Sequence, residues 1–314
     1  MEARNSSNFH QQSQDVSSNE NVQTRIKPKL SDLVTATRPW SFTASLIPVA
    51  LGVALAYKLE HVFSLSIFLA TVVIVVSVHA AGNLINTYVD FNNSVDNKDS
   101  DDLTLVNRIL LPENVMDLAL VFYVTATVGF IVLLFLSSAE IEHLVCLFLC
   151  GIVSSYVYTG GLGIKYMALG DILIFLTFGP LTVLFAYLSQ TGHLSFVPLI
   201  CAIPQALNIE AILHSNNARD VDSDQQARII TLAILLGPSL SYWLFFFLLF
   251  SPYFIYITVG VFYSKWLLLP LFSAMIVFSL EKDFRHGNLK LMPQKVAQLN
   301  LIMGILYVAA VLIA

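Results

Sequence analysis

Two short stretches gather side chains of the kind that bind hard cations. In "NLINTYVDFNNSVD", Asn86, Asp90 and Asp96 read Asn-x3-Asp-x5-Asp, and in "NNARDVDSD", Asn216, Asp220 and Asp224 read Asn-x3-Asp-x3-Asp. Oxygen-only donors of this type suit Mg²⁺, which takes one or two carboxylates from a protein and completes its shell with water and substrate phosphates. Residues four apart on a helix lie on one face, about 6 Å of rise between them. Asn216, Asp220 and Asp224 therefore form a stripe, and His79, Asn83, Asn86 and Asp90 form another. Asp96 falls six positions after Asp90 and breaks that register. The turn-rich "FNNSVD" predicts that the helix unwinds there and swings Asp96 back. Like charges about 5 Å apart cost roughly 3 kcal/mol at an effective dielectric near 20, so such carboxylates call for a divalent metal or for water. Asp99, Asp101, Asp102 and Asp222 read as solvated acids at helix ends.

Few cations accompany these acids. Lys165 is the only basic residue in "YTGGLGIKYMALGD", residues 158 to 171, where glycines permit tight turns. An ammonium there would hold the leaving-group oxygens of a metal-bound diphosphate, and a cytoplasmic anchoring role explains it equally well. Arg38 in "TRPW" precedes a helix-starting Pro39 and an interfacial Trp40; its own context favours an anchor. Arg219 and Arg228 flank the second stripe and either pair with phosphate or balance the acids. His79, Glu210 and His214 lie just inside the membrane from the motifs, and an ionisable group there is a candidate functional residue. The sequence does not choose which of the three faces a cavity.

The elements that must position these residues are membrane helices. Of the 314 residues, 56% are hydrophobic and 12% charged, with a net charge of −5; the mean hydropathy is +0.74. Soluble domains carry roughly twice that charge, so the chain is a polytopic membrane protein. Its acidic balance excludes a nucleic-acid partner, which would need a basic face. Cys146, Cys150 and Cys201 lie in apolar stretches, read as small buried residues without disulfide or metal spacing. Residues 1–30 form a polar tail predicted to be disordered, and 31–314 form the membrane domain. The tail lacks a signal-peptide core, and its acids argue against a transit peptide. An endoplasmic reticulum or Golgi membrane is thereby favoured over a mitochondrial one.

Hydropathy divides the domain into nine spans near the ~20 residues a bilayer needs, at roughly 40–57, 63–86, 115–137, 141–160, 168–189, 195–213, 229–250, 259–280 and 296–313. The seventh and eighth are nearly continuous, with Pro252 as the expected break. With nine spans, only Lys58 and Lys265 of the 16 Lys and Arg lie on one side, which leaves 14 on the other. That bias marks the motif-bearing face as cytoplasmic. The two acidic motifs start 130 positions apart (86 to 216), as in two pseudo-equivalent halves.

These stretches resemble a known family. "TRPWSFTASLIPVALG", "SVHAAGNLINTYVDF", "SDDLTLVNRIL", "YTGGLGIKYMALGDILIFLTFGPL", "EAILHSNNARD" and "PQKVAQLNL" are similar to segments of the UbiA superfamily of intramembrane prenyltransferases, from about residue 31 to the C-terminus. The resemblance implies nine helices around a central cavity open to lipid, and Mg²⁺ bridging both motifs to an isoprenyl diphosphate. Matched residue by residue, it implies Asp90, Asp96, Asp220 and Asp224 as metal ligands. Arg38, Asn86, Lys165, Asn216 and Arg228 are expected at the diphosphate, with Lys165, Asp90 and Asp220 in the catalytic set. Many members space the first motif Asp-x3-Asp; the longer Asp90-to-Asp96 spacing is that of the naphthoquinone branch. Geranylgeranyl diphosphate and menadiol are the substrates implied, and menaquinone-4 the product. The alternatives are another acceptor such as 4-hydroxybenzoate, or a non-catalytic lipid-sensing role. A cation-coupled transporter would place its acids at the bilayer midplane, and the Asp-x2-Asp-Gly pattern of CDP-alcohol phosphotransferases is absent around Asp220.

Overall fold

A computed structural model describes residues 28–96 and 102–314 of the chain. Most of the polar tail and both Asp99 and Asp101 lie outside these residues. Among the described residues thirteen α-helices follow one another: α1 Leu30–Ala36, α2 Thr43–Glu60, α3 Leu65–Asn92, α4 Pro112–Leu136, α5 Ile141–Val157, α6 Gly170–Leu176, α7 Thr182–Thr191, α8 Val197–Cys201, α9 Ile203–Arg219, α10 Val221–Gln226, α11 Leu232–Phe262, α12 Ala274–Arg285 and α13 Met292–Ile313. A 3-10 turn at Pro39–Phe42 enters α2, a nine-residue 3-10 helix at Lys265–Ser273 precedes α12, and a π-turn at Thr177–Leu181 joins α6 to α7.

All nine predicted spans fall on helical chain. Among the described residues, six segments are long and apolar enough to cross a bilayer: Pro39–Glu60, α3, α4, Gly170–Thr191, α11 and α13. Ile141–Val157 is a shorter apolar helix. The sixth and eighth predicted spans map onto broken elements, α8 with α9 and the 3-10 turn with α12. Pro252 does not break the chain. The helix runs through it to Phe262, and the interruption comes at Tyr263–Ser264. Pro252 is buried, and helices in apolar surroundings tolerate proline because neighbours satisfy the freed carbonyl. The real kink is at Gly237, with φ 68°; proline at 238 disfavours helical backbone just before it, and glycine accepts the left-handed value.

The helices pack pairwise, α3 along α4, α9 against α11, and α2 against both α7 and α13. Small residues make the close approaches. A methyl group on Gly52 would collide with the Val183 carbonyl, and one on Gly304 with Ile47, so α2 meets α7 and α13 at near backbone distance. One apolar core joins Leu51, Tyr187, Phe245, Leu249, Tyr256 and Met303. A second joins α3, α4 and α5, with Phe130 and Phe148 stacked at 4.0 Å. The outward faces carry exposed apolar side chains, Phe135 at 86% exposure, as a lipid-facing surface requires. Cys146 and Cys150, expected to be buried, are exposed, apolar groups on α5.

Candidate active site

The first motif closes α3. Asp90 lies in its last turn; Asn93 caps the helix and Ser94 takes a left-handed φ of 58°. The chain then doubles back, the Val95 and Asp96 amides donating to the Asp90 carbonyl at 2.9 and 3.4 Å. The predicted unwinding is therefore how Asp96 returns beside Asp90. In the second motif, α9 ends at Arg219 and α10 begins at Val221, with Asp220 at the junction. The helical bonds Asp220 N–H to Asn216 C=O (3.1 Å) and Asp224 N–H to Asp220 C=O (2.9 Å) persist, so the stripe survives a relaxed joint.

Asp90 is the hub. Its Oδ2 accepts from Lys165 Nζ at 2.7 Å and from Asn86 Nδ2 at 2.7 Å, while Oδ1 accepts from the Tyr166 hydroxyl at 2.6 Å. Asn86 Nδ2 also reaches Thr159 Oγ1 at 3.0 Å. Lys165 and Tyr166 are delivered by a loop whose Gly163 has φ 59°; a methyl group there would strike the Tyr166 ring. Burial alone would lower the Lys165 pKa, but Asp90 beside it leaves it raised. The acids thus find partners in protein cations, where the sequence alone called for metal or water.

Arg38 occupies a left-handed turn with φ 53° and aims its guanidinium into the same site. It donates to Asn86 Oδ1 at 3.1 Å, Thr87 Oγ1 at 3.4 Å and Asp102 Oδ2 at 2.8 Å. Asp102 corrects the sequence reading. It is not a solvated loop acid: its side chain is 10% exposed and also accepts from Thr87 Oγ1 at 2.5 Å and the Thr104 amide at 2.9 Å. Burial pushes its pKa up, and the Arg38 contact overrides this to hold it well below the usual carboxylate range. Asp102, Tyr166, Thr87 and Thr159 are the members that sequence reasoning missed. The "SDDLTLVNRIL" and "GIKY" segments held the only signal for the first two.

In the second motif, Arg219 Nε and Nη2 donate to the Asp220 carboxylate at 2.7 and 2.8 Å, and Nη2 reaches Asn216 Oδ1 at 2.8 Å. Asn216 Nδ2 donates to Asp220 Oδ2 at 3.2 Å. Arg228 is not brought to the site. It is exposed on a left-handed turn after α10, outside the cavity wall, and Arg219 takes the role nearest Asp220. Asp222 is exposed, as a solvated acid should be.

Asp96 and Asp224 remain poorly compensated. Burial, reinforced by Asp90, pushes Asp96 up to about 7. Burial likewise raises Asp224 to about 7, with Lys165 opposing and Asp220 and Asp90 adding to the rise. Burial beside other carboxylates makes both acids resist ionisation, because the cations of the mouth are spent on Asp90, Asp102 and Asp220. Among the described residues, no three Asp, Glu, His or Cys converge to cage a metal unaided. That donor chemistry fits Mg²⁺ held by one or two carboxylates together with substrate oxygens.

Beneath this mouth lies a cavity of about 220 Å³, partly open to the surroundings. Arg38, Asn86, Lys165 and Asn216 line its polar end, so both motifs face one space. Ile74, Val78, Phe148, Ile174, Phe178 and Phe185 line the apolar remainder. Of the three intramembrane ionisable residues, His79 is on the wall. Glu210 and His214 are buried behind it near Asp171, and His214 is tied to Ser241 at 2.9 Å.

A model of the UbiA prenyltransferase family matches residues 45–312. A Danio rerio protein named "UbiA prenyltransferase domain-containing protein 1" is 51% identical over 289 residues, 92% of this chain and 86% of that protein. Among solved structures, a UbiA homolog from Aeropyrum pernix K1 superposes with a TM-score of 0.64 at 14% identity, over 85% of this chain and 97% of that one. Another, from Archaeoglobus fulgidus bound to GPP and Mg²⁺, gives 0.61 at 15%, over 88% of this chain and 99% of that one. At such low identity these structures establish the shared fold.

Proposed function

The chain belongs to the UbiA prenyltransferase family as an integral membrane enzyme, and from that premise we propose that it transfers a geranylgeranyl group from its diphosphate to a reduced naphthoquinone, menadiol, forming menaquinone-4 in a Mg²⁺-dependent reaction. The observation that carries this reading is the pairing of a cation-and-carboxylate mouth with an apolar cavity directly beneath it. A charged head and a greasy tail need those two environments side by side. The Archaeoglobus relative's GPP and Mg²⁺ support the donor class, and the Asp90-to-Asp96 spacing supports the naphthoquinol acceptor.

Mg²⁺ on Asp90, Asp96, Asp220 and Asp224, when bound, supplies the charge neutralisation that makes diphosphate a good leaving group. Arg38 and Lys165 orient the diphosphate oxygens, with Asn86 and Asn216 donating from the two sides. The C1–O bond breaks with its electron pair leaving on the diphosphate, and Lys165 stabilises that developing charge. The apolar wall keeps water from the allyl cation. A ring carbon of the quinol then bonds to C1, and the ring proton at that carbon departs. The polar mouth faces the cytoplasm, in an endoplasmic reticulum or Golgi membrane.

Purified protein in lipid, given labelled geranylgeranyl diphosphate and either menadiol or 4-hydroxybenzoate, tests the acceptor. Labelled menaquinone-4 with menadiol and no product from 4-hydroxybenzoate is the expected result. Product from 4-hydroxybenzoate alone would transfer the assignment to that acceptor. An Asp220→Ala protein with full turnover at ordinary Mg²⁺ would remove the second motif from the mechanism.

A further inference from the structure

One polar spot on the cavity wall has no part in handling the diphosphate. His79 on α3 meets the cavity together with Ser41 and Asn83. Its Nδ1 lies 2.6 Å from Ser45 Oγ and its Nε2 3.3 Å from Ser41 Oγ. Ser45 is fully buried, so the shorter bond pins the ring from behind. Phe42 and Phe178 stand edge-on to the imidazole, with centroids 5.4 and 4.6 Å away. His214, by contrast, is fully buried and spoken for by Ser241.

Ser41 does not depend on the histidine. Its hydroxyl donates to the Arg38 carbonyl at 2.8 Å and accepts from Asn83 Nδ2 at 3.1 Å. A ligand that replaced it at Nε2 would leave both of those bonds intact. Ser41's one hydrogen is spent on the Arg38 carbonyl, so Nε2 carries the hydrogen it shares with Ser41, Ser45 donates to Nδ1, and Nε2–H is a donor at the cavity wall. His79 lies seven residues before Asn86 on the same helix, about 10 Å deeper along the axis. That depth leaves room for an aromatic ring between the histidine and the carbon that bears the diphosphate. The surrounding wall, Val75, Val78, Ile174 and Phe178, offers apolar surface to such a ring.

We propose that His79, fixed by Ser45 and flanked by Phe42 and Phe178, is the specificity-determining residue of the acceptor subsite, its Nε2–H donating a hydrogen bond to a ring oxygen of a hydroxyaromatic substrate. This rests on the prenyl-transfer reading above and extends it to the second substrate. The bond orients the ring against the apolar wall. An acceptor lacking that oxygen leaves Nε2–H to Ser41 and loses the orientation.

The test is equilibrium binding of radiolabelled menadiol to wild type, His79→Leu, His79→Gln and Ser45→Ala in lipid nanodiscs. Mg²⁺ and a non-cleavable thiolo analogue of geranylgeranyl diphosphate are present throughout, and binding of the analogue is measured in parallel. His79→Leu is expected to bind menadiol about tenfold more weakly, equivalent to about 1.4 kcal/mol. His79→Gln, whose amide N–H can donate near the same point, should recover most of the loss, and Ser45→Ala should fall between. Analogue binding should be unchanged in all three. Equal menadiol binding by His79→Leu and wild type would overturn the subsite while leaving prenyl transfer intact. Wild type that binds the analogue but no menadiol would refute the naphthoquinol reading and the subsite with it. Parallel loss of analogue binding in all three variants would make His79 part of the shared scaffold and overturn the proposal.

Discussion

Replacing Lys165 by Met separates two roles that the structure assigns to one ammonium. In the protein, Lys165 Nζ sits 2.7 Å from Asp90 Oδ2, with side-chain exposures of 12% and 5%. At that separation the gross attraction is about 6 kcal/mol at an effective dielectric near 20, much of it offset by desolvation of both groups. Removing one partner leaves Asp90 with only Asn86 and Tyr166, and breaking a buried pair costs roughly 3–5 kcal/mol. Lys165→Met should therefore lose stability of that order when Mg²⁺ is absent. Added Mg²⁺ should restore more stability to the variant than to wild type, because a cation on the motif replaces the lost ammonium beside Asp90. Turnover should not recover, since a donor aimed at developing charge accounts for about 10²–10³ in kcat. Denaturation in nanodiscs with and without Mg²⁺, alongside prenyl transfer with labelled diphosphate, reads both effects. A variant as stable as wild type without Mg²⁺, or equally stabilised by it, would refute the reasoning, and Lys165→Arg is the charge-conserving control.

Two further perturbations probe the rest of the mouth. Asp102→Ala removes the carboxylate that holds Arg38 toward Asn86, so KM for the prenyl diphosphate should rise about tenfold with kcat little changed, a loss in line with one charged hydrogen bond; unchanged kinetics would return Asp102 to the solvent. Asp96 and Asp224, both pushed up to about 7, hold protons below that pH and release them above it. Protons and Mg²⁺ then compete, and the half-saturating Mg²⁺ concentration should fall steeply as pH rises from about 6 to 8. A Mg²⁺ titration that is flat over that range would show that neither acid binds the metal.

The helical architecture was legible because a bilayer imposes length and apolarity on every crossing, yet among the described residues six segments meet that length and the sixth and eighth predicted spans fall on broken elements. Pro252 misled because proline's cost depends on what satisfies the freed carbonyl, a tertiary property. The two Asn/Asp motifs were legible through spacing, and the turn at Ser94 through its composition. Asp102 was not, since its partner Arg38 lies 64 positions away and only the fold joins them. Nor could the sequence rank His79 over Glu210 and His214. All three lie on the motif-bearing helices, and only the rotation of α3 and α9 decides which one faces the cavity. Arg228 shows the opposite error. Proximity in sequence to Asp224 suggested a phosphate contact, yet a left-handed turn at its own position carries it outward.

The proposal that the two motifs hold Mg²⁺ for a prenyl diphosphate is tested most directly by prenyl transfer from labelled geranylgeranyl diphosphate to menadiol in purified, lipid-embedded protein, measured with Mg²⁺, with EDTA, and after Mg²⁺ is returned. Labelled quinone is expected with Mg²⁺, its loss with EDTA, and full recovery on restoration. Transfer that continues undiminished in EDTA would contradict a role for the carboxylates in binding metal and leave Arg38 and Lys165 to activate the diphosphate alone.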